Sequence, residues 1–442
     1  MKIKLYAFKL YLKERLKYSH RMVGMVPNLT IFIVALVLFY TGKTSLSFKL
    51  CGKMFRTNGY GAVFLPNLFL RLTMGEALLK SSKFTKTIQS YIAEVKAAPG
   101  KEKIFADPAR ILMNMAIVVQ KWTPASKGVL IIKYSYYFPL FLKKFDIELV
   151  MSRYYIVLEP SWAGYFDLDI LSYCTLPHPV FVMTYEERDK NLLQEFDSNL
   201  KSISVGPNWW VDFENFKPQN LKRDIDVIVI ASWSSFKRHY YILKALVTLK
   251  KSMENYTLKV VFVGYAGDLS NEFIRAMVKH FELQDSVEFF EEIPTEQVAH
   301  LLMRSKVNLL WSRFEGNNRS IIEGMFCDTP VVVRAGHNFG YQYPYINSLT
   351  GVFSSENELP QILKGIILGK STFSPRTYVK EQHNYQVAIK NIADTINQLK
   401  LAHQPLPKYD GKINRLGGMS YLDSATSEKY AEDYFFLKST IF

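Results

Sequence analysis

The chain has 442 residues, of which 48% are hydrophobic and 21% charged, a balance typical of a folded protein with more than one domain. Its three cysteines are too few for a disulfide framework or a thiolate metal site, and they indicate a reducing, cytosolic setting. Composition and length together exclude collagen-like, coiled-coil and small secreted folds.

The net charge of +15 is concentrated at the N-terminus. Residues 1–90 contain 15 Lys and Arg against only Glu14 and Glu76, which gives +13 and leaves +2 for the other 352 residues. A basic segment binds anionic partners, either nucleic acid or a lipid surface. Because apolar side chains accompany the cations, we expect a membrane surface and no nucleic acid.

Residues 2–18 have the pattern of a basic amphipathic helix. Two sets of side chains recur at helical spacing: Lys9, Lys13 and Lys17, and Leu5, Phe8, Leu12 and Leu16. This pattern predicts that residues 1–22, with a charge of +6, attach the protein peripherally to the cytoplasmic face of an anionic membrane. The alternative is a helix that packs on the protein's own core and exposes its lysines.

Met22–Tyr40 raises the question of a membrane-spanning helix. Its uninterrupted apolar run, from Ile31 to Tyr40, would extend ~15 Å as a helix, against a hydrocarbon layer of ~30 Å. The positive charge before it would hold the N-terminus inside and send the remaining chain outside. We therefore interpret residues 1–50 as membrane-associated or buried, and spanning is the less favoured alternative.

Short apolar runs alternate with helical patterns after residue 128, which predicts an α/β protein with parallel sheets. The predicted strands are 128–134, 154–160, 179–185, 226–233, 258–264, 287–292, 306–312 and 330–336. The predicted helices of the second half are 240–253, 270–283, 295–304 and 317–327. Regular alternation of this kind is typical of a doubly wound sheet.

A turn-rich break at 206–218 divides the chain, so we predict four consecutive parts. They are a basic, apolar segment (1–50), an N-terminal domain (51–205), a Rossmann-like domain (206–375), and a C-terminal helix with a tail (376–442). Two such α/β domains would face each other across a cleft, with ligands at the carboxyl ends of the strands.

The most informative stretch is 313–323, RFEGNNRSIIE, which follows a predicted strand and opens a helix. The helix N-terminus at Asn317, Asn318, Arg319 and Ser320 predicts an anion site, because free N–H groups and the helix dipole favour a phosphate there. Glu315 and Glu323 are separated by seven residues, and their carboxylates can accept hydrogen bonds from sugar hydroxyls. The alternative is that both are ordinary solvated glutamates with no role in binding.

A second stretch, SWSSFKRH at 232–239, follows the first predicted strand of the same domain. Lys237 and Arg238 are adjacent cations in a strand-end loop, where they would neutralise a diphosphate. A Lys-Arg pair by itself is more often part of a solvated surface. The predicted anion-binding helix tip in the same domain favours the binding interpretation.

These segments resemble the donor-binding core of the retaining glycosyltransferases of family 4, which have the GT-B fold of two Rossmann-like domains. The resemblance covers about residues 179–370 and rests on the two glutamates with seven residues between them, followed by GMFCDTPVVV, on ASWSSFKRH and on VVFVGYAGD. It implies a hexosyltransferase-like, metal-independent enzyme whose nucleotide-diphosphate sugar is a co-substrate, with no cofactor.

The resemblance also implies roles for individual residues. Lys237 would bind the donor diphosphate, Glu315 would contact the transferred sugar, and Glu323 would contact the ribose. The amides of 317–320 would meet the phosphates. Ser232 departs from the family, which usually has arginine there, and Arg238 is the candidate to replace that charge. The acceptor would be a glycan or a lipid-linked molecule in polysaccharide or glycoconjugate biosynthesis.

Two alternatives stay open at this point: a nucleotide-sugar epimerase of the same fold, and a non-catalytic membrane-surface protein that kept the fold. The sequences DLD at 167–169 and DID at 224–226 mimic an Asp-x-Asp metal motif, but one lies in a loop and the other directly precedes a buried strand. We therefore predict no metal site.

Overall fold

A computed structural model gives the structure of the chain. It describes residues 2–18, 22–57, 59–75, 82–97, 108–195, 199–336, 343–399, 409–415 and 417–442. The chain folds as two compact units, which we name after their main sheets. The five-stranded unit contains residues 15–210 and 385–442, and the six-stranded unit contains residues 1–14 and 211–384.

The sheet of the five-stranded unit follows sequence order, β1-β2-β3-β4-β5. Its strands are β1 (Ala116–Gln120), β2 (Gly128–Lys133), β3 (Tyr154–Glu159), β4 (Val180–Met183) and β5 (Leu200–Ile203). β1 is antiparallel to β2, and the other neighbours are parallel. The described strands therefore show no reversal of strand order.

Two layers cover this sheet, which explains why its strands are apolar on both faces. Helices from the first half of the unit cover one face: α2 (Met25–Tyr40), α3 (Thr44–Thr57), α4 (Phe64–Met74), α5 (Ser82–Ala97), α6 (Pro108–Asn114), α7 (Phe138–Lys144), α8 (Ile147–Arg153), α9 (Leu168–Leu171) and α10 (Glu187–Glu195).

The other face is covered by residues from the end of the sequence. α17 (Tyr385–Gln398) packs Ile389, Ile392 and Ile396 against it, together with Met419 of a hairpin. The hairpin strands are β12 (Lys412–Arg415) and β13 (Gly418–Tyr421). α18 (Ser424–Lys429) and α19 (Ala431–Ser439) follow, and Leu437 of α19 packs in the core on the first face. The tail that the sequence left without a role is thus an integral part of this unit.

A buried ion pair fixes the hairpin to the sheet. Lys412 Nζ lies 2.7 Å from Glu159 Oε2 at the end of β3, and both side chains are fully buried. Asn414 Nδ2 donates to the second Glu159 oxygen at 3.0 Å, and Lys133 Nζ donates to the carbonyl of Gly418 at 2.9 Å. Burial raises the pKa of Glu159, but the cations of Lys412 and Lys133 outweigh this and lower it overall.

The six-stranded sheet is entirely parallel and has the order β11-β10-β9-β6-β7-β8. Its strands are β6 (Ile225–Ile230), β7 (Val260–Gly264), β8 (Val287–Glu291), β9 (Ser305–Leu310), β10 (Val331–Arg334) and β11 (Gly351–Ser354). This is the strand order of a Rossmann fold, in which the direction of winding reverses between the first and fourth strands. Here the reversal lies between β6 and β9.

Helices cover both faces of this sheet. They are α11 (His239–Ser252), α12 (Asn271–His280), α13 (Thr295–Met303), α14 (Arg319–Phe326), α15 (Leu359–Ile367) and α16 (Pro375–Gln382). One core contains α11, α12 and α15, and the other contains α13, α14 and α16. The N-terminal helix α1 (Lys2–Lys17) joins this unit through Ile3 and Tyr6, which pack against the first core.

The predicted α/β class and all eight predicted strands are confirmed. The division of the chain differs from the predicted four consecutive parts. The border at residue 210 lies close to the predicted one, but residues 1–14 and 385–442 each join a unit that is distant in sequence. Packing of Ile3 and of α17 against sheets from other parts of the chain is the physical reason.

Met22–Tyr40 is helical and is long and apolar enough to cross a membrane by length and composition. One side of α2 is nevertheless docked on the five-stranded unit, where Asn28, Phe32 and Ala35 are buried. Asn28 Nδ2 donates to the carbonyl of Tyr60 at 2.9 Å, and Ser47 Oγ donates to that of Ala35 at 2.8 Å.

Candidate functional site

The two predicted site segments follow β6 and β9, the neighbouring strands between which the winding of the six-stranded sheet reverses. Chains that leave such strands turn in opposite directions and open a crevice at the carboxyl edge of the sheet, where α/β proteins bind ligands. The loop after β6 is 231–238, and the loop after β9 is 311–318. The topology therefore places both loops at the position expected for a ligand.

Lys237 and Glu315, which are 78 residues apart, meet in this position. Lys237 Nζ lies 2.5 Å from Glu315 Oε1, and each residue is 9% exposed. Ser312 Oγ donates to the same carboxylate oxygen. A lysine ammonium has three N–H donors, of which Glu315 takes one, so the same ammonium can also reach an anionic ligand.

The two loops are also joined by packing. The rings of Phe236 and Phe314 stack with centroids 4.9 Å apart, and the backbone N–H of Arg313 donates to the carbonyl of Phe236 at 2.7 Å. These contacts lie next to Lys237 and Glu315 in sequence. They hold both side chains at a fixed separation, as preorganised electrostatic sites require.

The helix that follows the second loop begins as the sequence predicted. Asn318 is the N-cap of α14, and its Oδ1 accepts from Ser320 Oγ at 2.7 Å and from the N–H of Ile321. Asn308 of β9 donates its Nδ2 to the carbonyl of Ser320 at 2.9 Å, and Gly324 makes room for it, because a Cβ there would lie 2.8 Å from that nitrogen.

Glu323 lies on α14 and is 8% exposed. Its Oε1 accepts from Arg319 Nε at 2.8 Å, one helical turn earlier. The positive charge of Arg319 is thus directed along the helix towards Glu323. Tyr343 OH donates to the carbonyl of Gly316 at 2.9 Å and supports the turn that precedes Asn317.

Arg238 has a different position from the one suggested by the sequence. Its guanidinium is 1% exposed, Nε lies 3.0 Å from Glu14 Oε1, and NH2 pairs with Glu356. It also lies over the ring of Tyr241, 4.0 Å from the centroid. Ser232, the residue whose missing charge Arg238 was expected to replace, pairs with Ser234 Oγ at 3.0 Å. We therefore revise the role of Arg238 to a structural one.

Arg238 also occupies the left-handed backbone region, with φ of +60°, directly before α11. This conformation is unfavourable for a side chain other than Gly or Asn, at a cost of ~1 kcal/mol or more. Buried ion pairs to two carboxylates hold the residue in place.

Sequence reasoning missed four charged residues around Arg238: Glu14, Arg313, Arg334 and Glu356. Arg313 Nε lies 3.2 Å from Glu14 Oε1. Burial of Arg334 and the positive charge of Arg238 lower the pKa of Arg334 to about 10. Arg313 stood inside the most informative stretch, so its charge was visible there. Glu14 carried no local signal, because it is about 300 residues away in sequence.

The carboxylates of the two Asp-x-Asp segments are bound by other side chains of the protein, through ion pairs and hydrogen bonds. Asp224 receives two hydrogen bonds from Arg304, at 2.9 and 2.7 Å, and Asp226 lies 2.8 Å from Lys306 Nζ. Asp167 pairs with Arg56, and Asp169 accepts from Tyr91 OH. Among the described residues, no group of three or more His, Cys, Asp or Glu is placed to hold a metal ion.

Three solved structures are among those similar to this chain. Sucrose-phosphate synthase from Thermosynechococcus elongatus is 16% identical, with 72% of this chain and 80% of that chain covered and a TM-score of 0.48. HepE from Anabaena, in complex with UDP, is 14% identical, with 61% of this chain and 78% of that chain covered and a TM-score of 0.48. TarM from S. aureus, in complex with UDP, is 16% identical, with 60% of this chain and 55% of that chain covered and a TM-score of 0.47. The chain thus spans about half of the TarM chain.

The comparison with curated proteins gives no match. Residues 211–368, a little over a third of the chain, match the family model described as Glycosyl transferases group 1. The matched range contains β6 to α15 and therefore both loops and α14. The six-stranded unit thus carries a glycosyl transferases group 1 domain.

Proposed function

We propose that the protein is a retaining glycosyltransferase that moves a sugar from a nucleotide-sugar donor to a glycan or lipid-linked acceptor. The observation that carries the proposal is the Lys237–Glu315 pair beside the N-terminus of α14, at the carboxyl edge where β6 and β9 meet. A cation, a carboxylate and a helix tip provide complementary partners for a diphosphate and for sugar hydroxyls.

In the proposed reaction, the bond between the anomeric carbon and the diphosphate oxygen breaks, and the electron pair leaves with the nucleotide diphosphate. The ammonium of Lys237 and the N-terminus of α14 stabilise the charge that develops on that oxygen. The acceptor hydroxyl attacks from the same face, and its proton passes to the departing phosphate oxygen. Glu315 orients the transferred sugar, and Glu323 accepts from the ribose hydroxyls.

We assign acceptor binding to the five-stranded unit and the pathway to polysaccharide or glycoconjugate biosynthesis, as the family resemblance implies. No metal ion or cofactor takes part in the proposed reaction. Lys237 and the helix dipole supply the positive charge that a metal provides in other transferases.

We also propose that the protein is peripheral to the cytoplasmic face of an anionic membrane. Each unit exposes an apolar stripe on a helix. On α1, Phe8 is 57% exposed and Leu5, Leu12 and Leu16 are exposed with it. On α2, the exposed residues recur at helical spacing: Val26, Leu29, Ile33, Val37 and Tyr40. Soluble proteins seldom expose apolar stripes of this length.

The contacts of α2 favour a helix that lies in the membrane surface over one that spans it. The buried side, with Asn28 and Ala35 bonded to neighbouring elements, runs along the same helix as the exposed stripe. A helix with one side covered by protein and one exposed apolar side is suited to lie in the membrane–water interface. The charge of +13 on residues 1–90 favours anionic lipids.

The experiment that tests the enzymatic proposal is a donor screen. The full-length protein is incubated with UDP- and GDP-sugars, hydrolysis and transfer are measured, and binding is titrated calorimetrically. Transfer or slow hydrolysis with retained anomeric configuration supports the proposal. Conversion of a donor without any acceptor would indicate an epimerase, and absence of nucleotide binding would indicate a non-catalytic protein.

A further inference from the structure

One face of α1 packs on the six-stranded unit. Ile3, Tyr6, Leu10 and Glu14 recur at helical spacing and form this face. Leu10 is buried, and the ring of Tyr6 meets that of Phe273 edge-on at 5.2 Å. This face differs from the stripe that the sequence analysis identified, so α1 has two apolar sides, of which one is covered.

Glu14 ends the packed face and brings a carboxylate to two buried guanidinium groups. Its Oε1 lies 3.0 Å from Arg238 Nε and 3.2 Å from Arg313 Nε. Arg238 is 1% exposed and Arg313 is 2% exposed. Charges buried to this degree require a charged partner, because otherwise their desolvation is unfavourable by several kcal/mol.

The two arginines belong to the two loops of the candidate site. Arg238 directly follows Lys237 in the loop after β6, and Arg313 precedes Glu315 by two residues in the loop after β9. A single oxygen atom of Glu14 therefore bridges the two loops. Because Arg238 also has an unfavourable left-handed backbone, loss of this partner would release the segment next to Lys237.

We propose that Glu14 is a positioning residue for the donor site. By holding Arg238 and Arg313 together, it fixes the separation of Lys237 and Glu315, which contact the donor in the proposed reaction. The inference rests on the proposed function. It assigns the start of the chain a part in sugar transfer that is independent of membrane attachment.

The test compares Glu14→Ala with Glu254→Ala, which removes an exposed carboxylate from the same unit. We expect Glu14→Ala to lower kcat/KM for the donor on the order of 10- to 100-fold per folded molecule, as small misplacements of reacting groups do. Glu254→Ala should match the wild type. Glu14→Gln keeps an acceptor oxygen for the Nε–H of Arg313 but removes the charge beside Arg238, and it should recover part of the loss.

A second measurement does not depend on activity. Hydrogen exchange of residues 232–239 and 312–319 should be faster in Glu14→Ala than in Glu254→Ala. Folded Glu14→Ala with unaltered kcat/KM, or with a higher one, would overturn the positioning role. If the wild type turns over no donor, the proposed function has failed, and unaltered exchange in the two loops would then refute the bridge as well.

Discussion

The two sheets of this protein differ in strand order, and the difference decides where each unit can hold a ligand. The six-stranded sheet reverses its winding between β6 and β9, and the loops after these strands carry Lys237 and Glu315. The five-stranded sheet follows sequence order, and the end of its strand β3 is closed by the pair of Glu159 with Lys412. A Lys–Glu pair thus lies in the proposed donor site of one unit, and another holds a hairpin on the sheet of the other unit.

The largest effect is expected on stability, from loss of the buried pair between Lys412 and Glu159. Lys412→Ala should lower the free energy of unfolding by about 3–5 kcal/mol, because it leaves the Glu159 carboxylate buried without its main cation. Denaturant unfolding measures this change. The matched control is Lys121→Ala, which breaks an exposed pair with Glu432 and should leave stability nearly unaltered. Equal stabilities of the two variants would refute the structural role of Lys412.

If the Lys237–Glu315 pair acts as proposed, its loss should lower turnover and leave stability nearly unaltered. Lys237→Ala removes a charge that acts mainly in the transition state, so we expect kcat to fall by ~10²–10³ with a smaller change in KM. Steady-state kinetics with the donor found in the screen measures this. Lys244→Ala, at an exposed position of α11, is the control. A Lys237 variant with wild-type kcat would remove this residue from the proposed mechanism.

Glu323 should affect binding more than turnover. Glu323→Ala removes a carboxylate that accepts from the ribose in the proposed complex, and we expect nucleotide affinity to weaken by about 1.5–3 kcal/mol. Calorimetric titration of the nucleotide measures the change. Glu296→Ala, on the exposed side of α13, provides the comparison. Unaltered affinity would indicate that Glu323 only pairs with Arg319.

Two buried groups, one in each unit, should contribute to the pH dependence of stability in opposite directions. Burial lowers the pKa of His383 in the six-stranded unit to about 3. The unfolded chain, with a histidine pKa near ~6.5, then binds protons that the native unit does not, so stability falls as the pH drops below that value. In the five-stranded unit, burial and the charge of Asp167 raise the pKa of Asp169 to about 7. Its stabilising contribution is present at low pH and is lost as the pH rises through about 7.

Thermal unfolding at pH 5 and pH 7.5 checks the histidine effect. His383→Gln should reduce the loss of stability on acidification, because the substituted side chain takes up no proton. His300→Gln, at an exposed position of α13, should leave the pH dependence as it is in the wild type. An acid response that His383→Gln leaves intact would assign the effect to other groups.

The smallest effect per residue is expected in membrane attachment. Each cation near an anionic surface contributes ~1 kcal/mol to the free energy of binding. Co-sedimentation with vesicles of varied anionic-lipid content measures it. Val26→Ser, Ile33→Ser and Val37→Ser combined should reduce pelleting, and so should Leu5→Ser, Phe8→Ser and Leu12→Ser combined. Binding should weaken as salt rises, since the Debye length falls to ~3 Å at 1 M.

The comparison of these two triple variants shows which unit binds the lipid surface. Pelleting of both variants at the wild-type level, on neutral and anionic vesicles alike, would refute attachment through either stripe. Pelleting that resists high salt in all three proteins would instead favour a helix inserted across the membrane.

The six-stranded unit was more predictable than the five-stranded unit, for a physical reason. Its strands, its crossovers and the turn into α14 are specified by residues close together in sequence, so strand pattern and motif predict them. In the five-stranded unit, Lys412 and α17 complete a sheet formed more than 180 residues earlier. Such packing leaves no periodic signal in the segment that provides it.

The same limit applied within the candidate site. The placement of Lys237 and Glu315 in two loops of one site followed from the sequence, but their ion pair and the direction of the Arg238 side chain did not. That direction depends on Glu14 and Glu356, which come from two other parts of the chain. A local motif predicts which residues share a loop, whereas distant charges decide which of them remain available to a ligand.

The return of residues 385–421 to the five-stranded sheet has a consequence for biosynthesis. A ribosome that adds ~5–20 residues per second completes strands β1 to β5 well before it makes α17 and the hairpin. During this interval the face of the sheet that includes Val129, Val157 and Phe181 lacks the helix and hairpin that complete its cover. The six-stranded sheet, although it begins later, has all its strands and crossover helices by residue 382. The five-stranded sheet is therefore made first and covered last, which leaves its apolar face open to aggregation during translation.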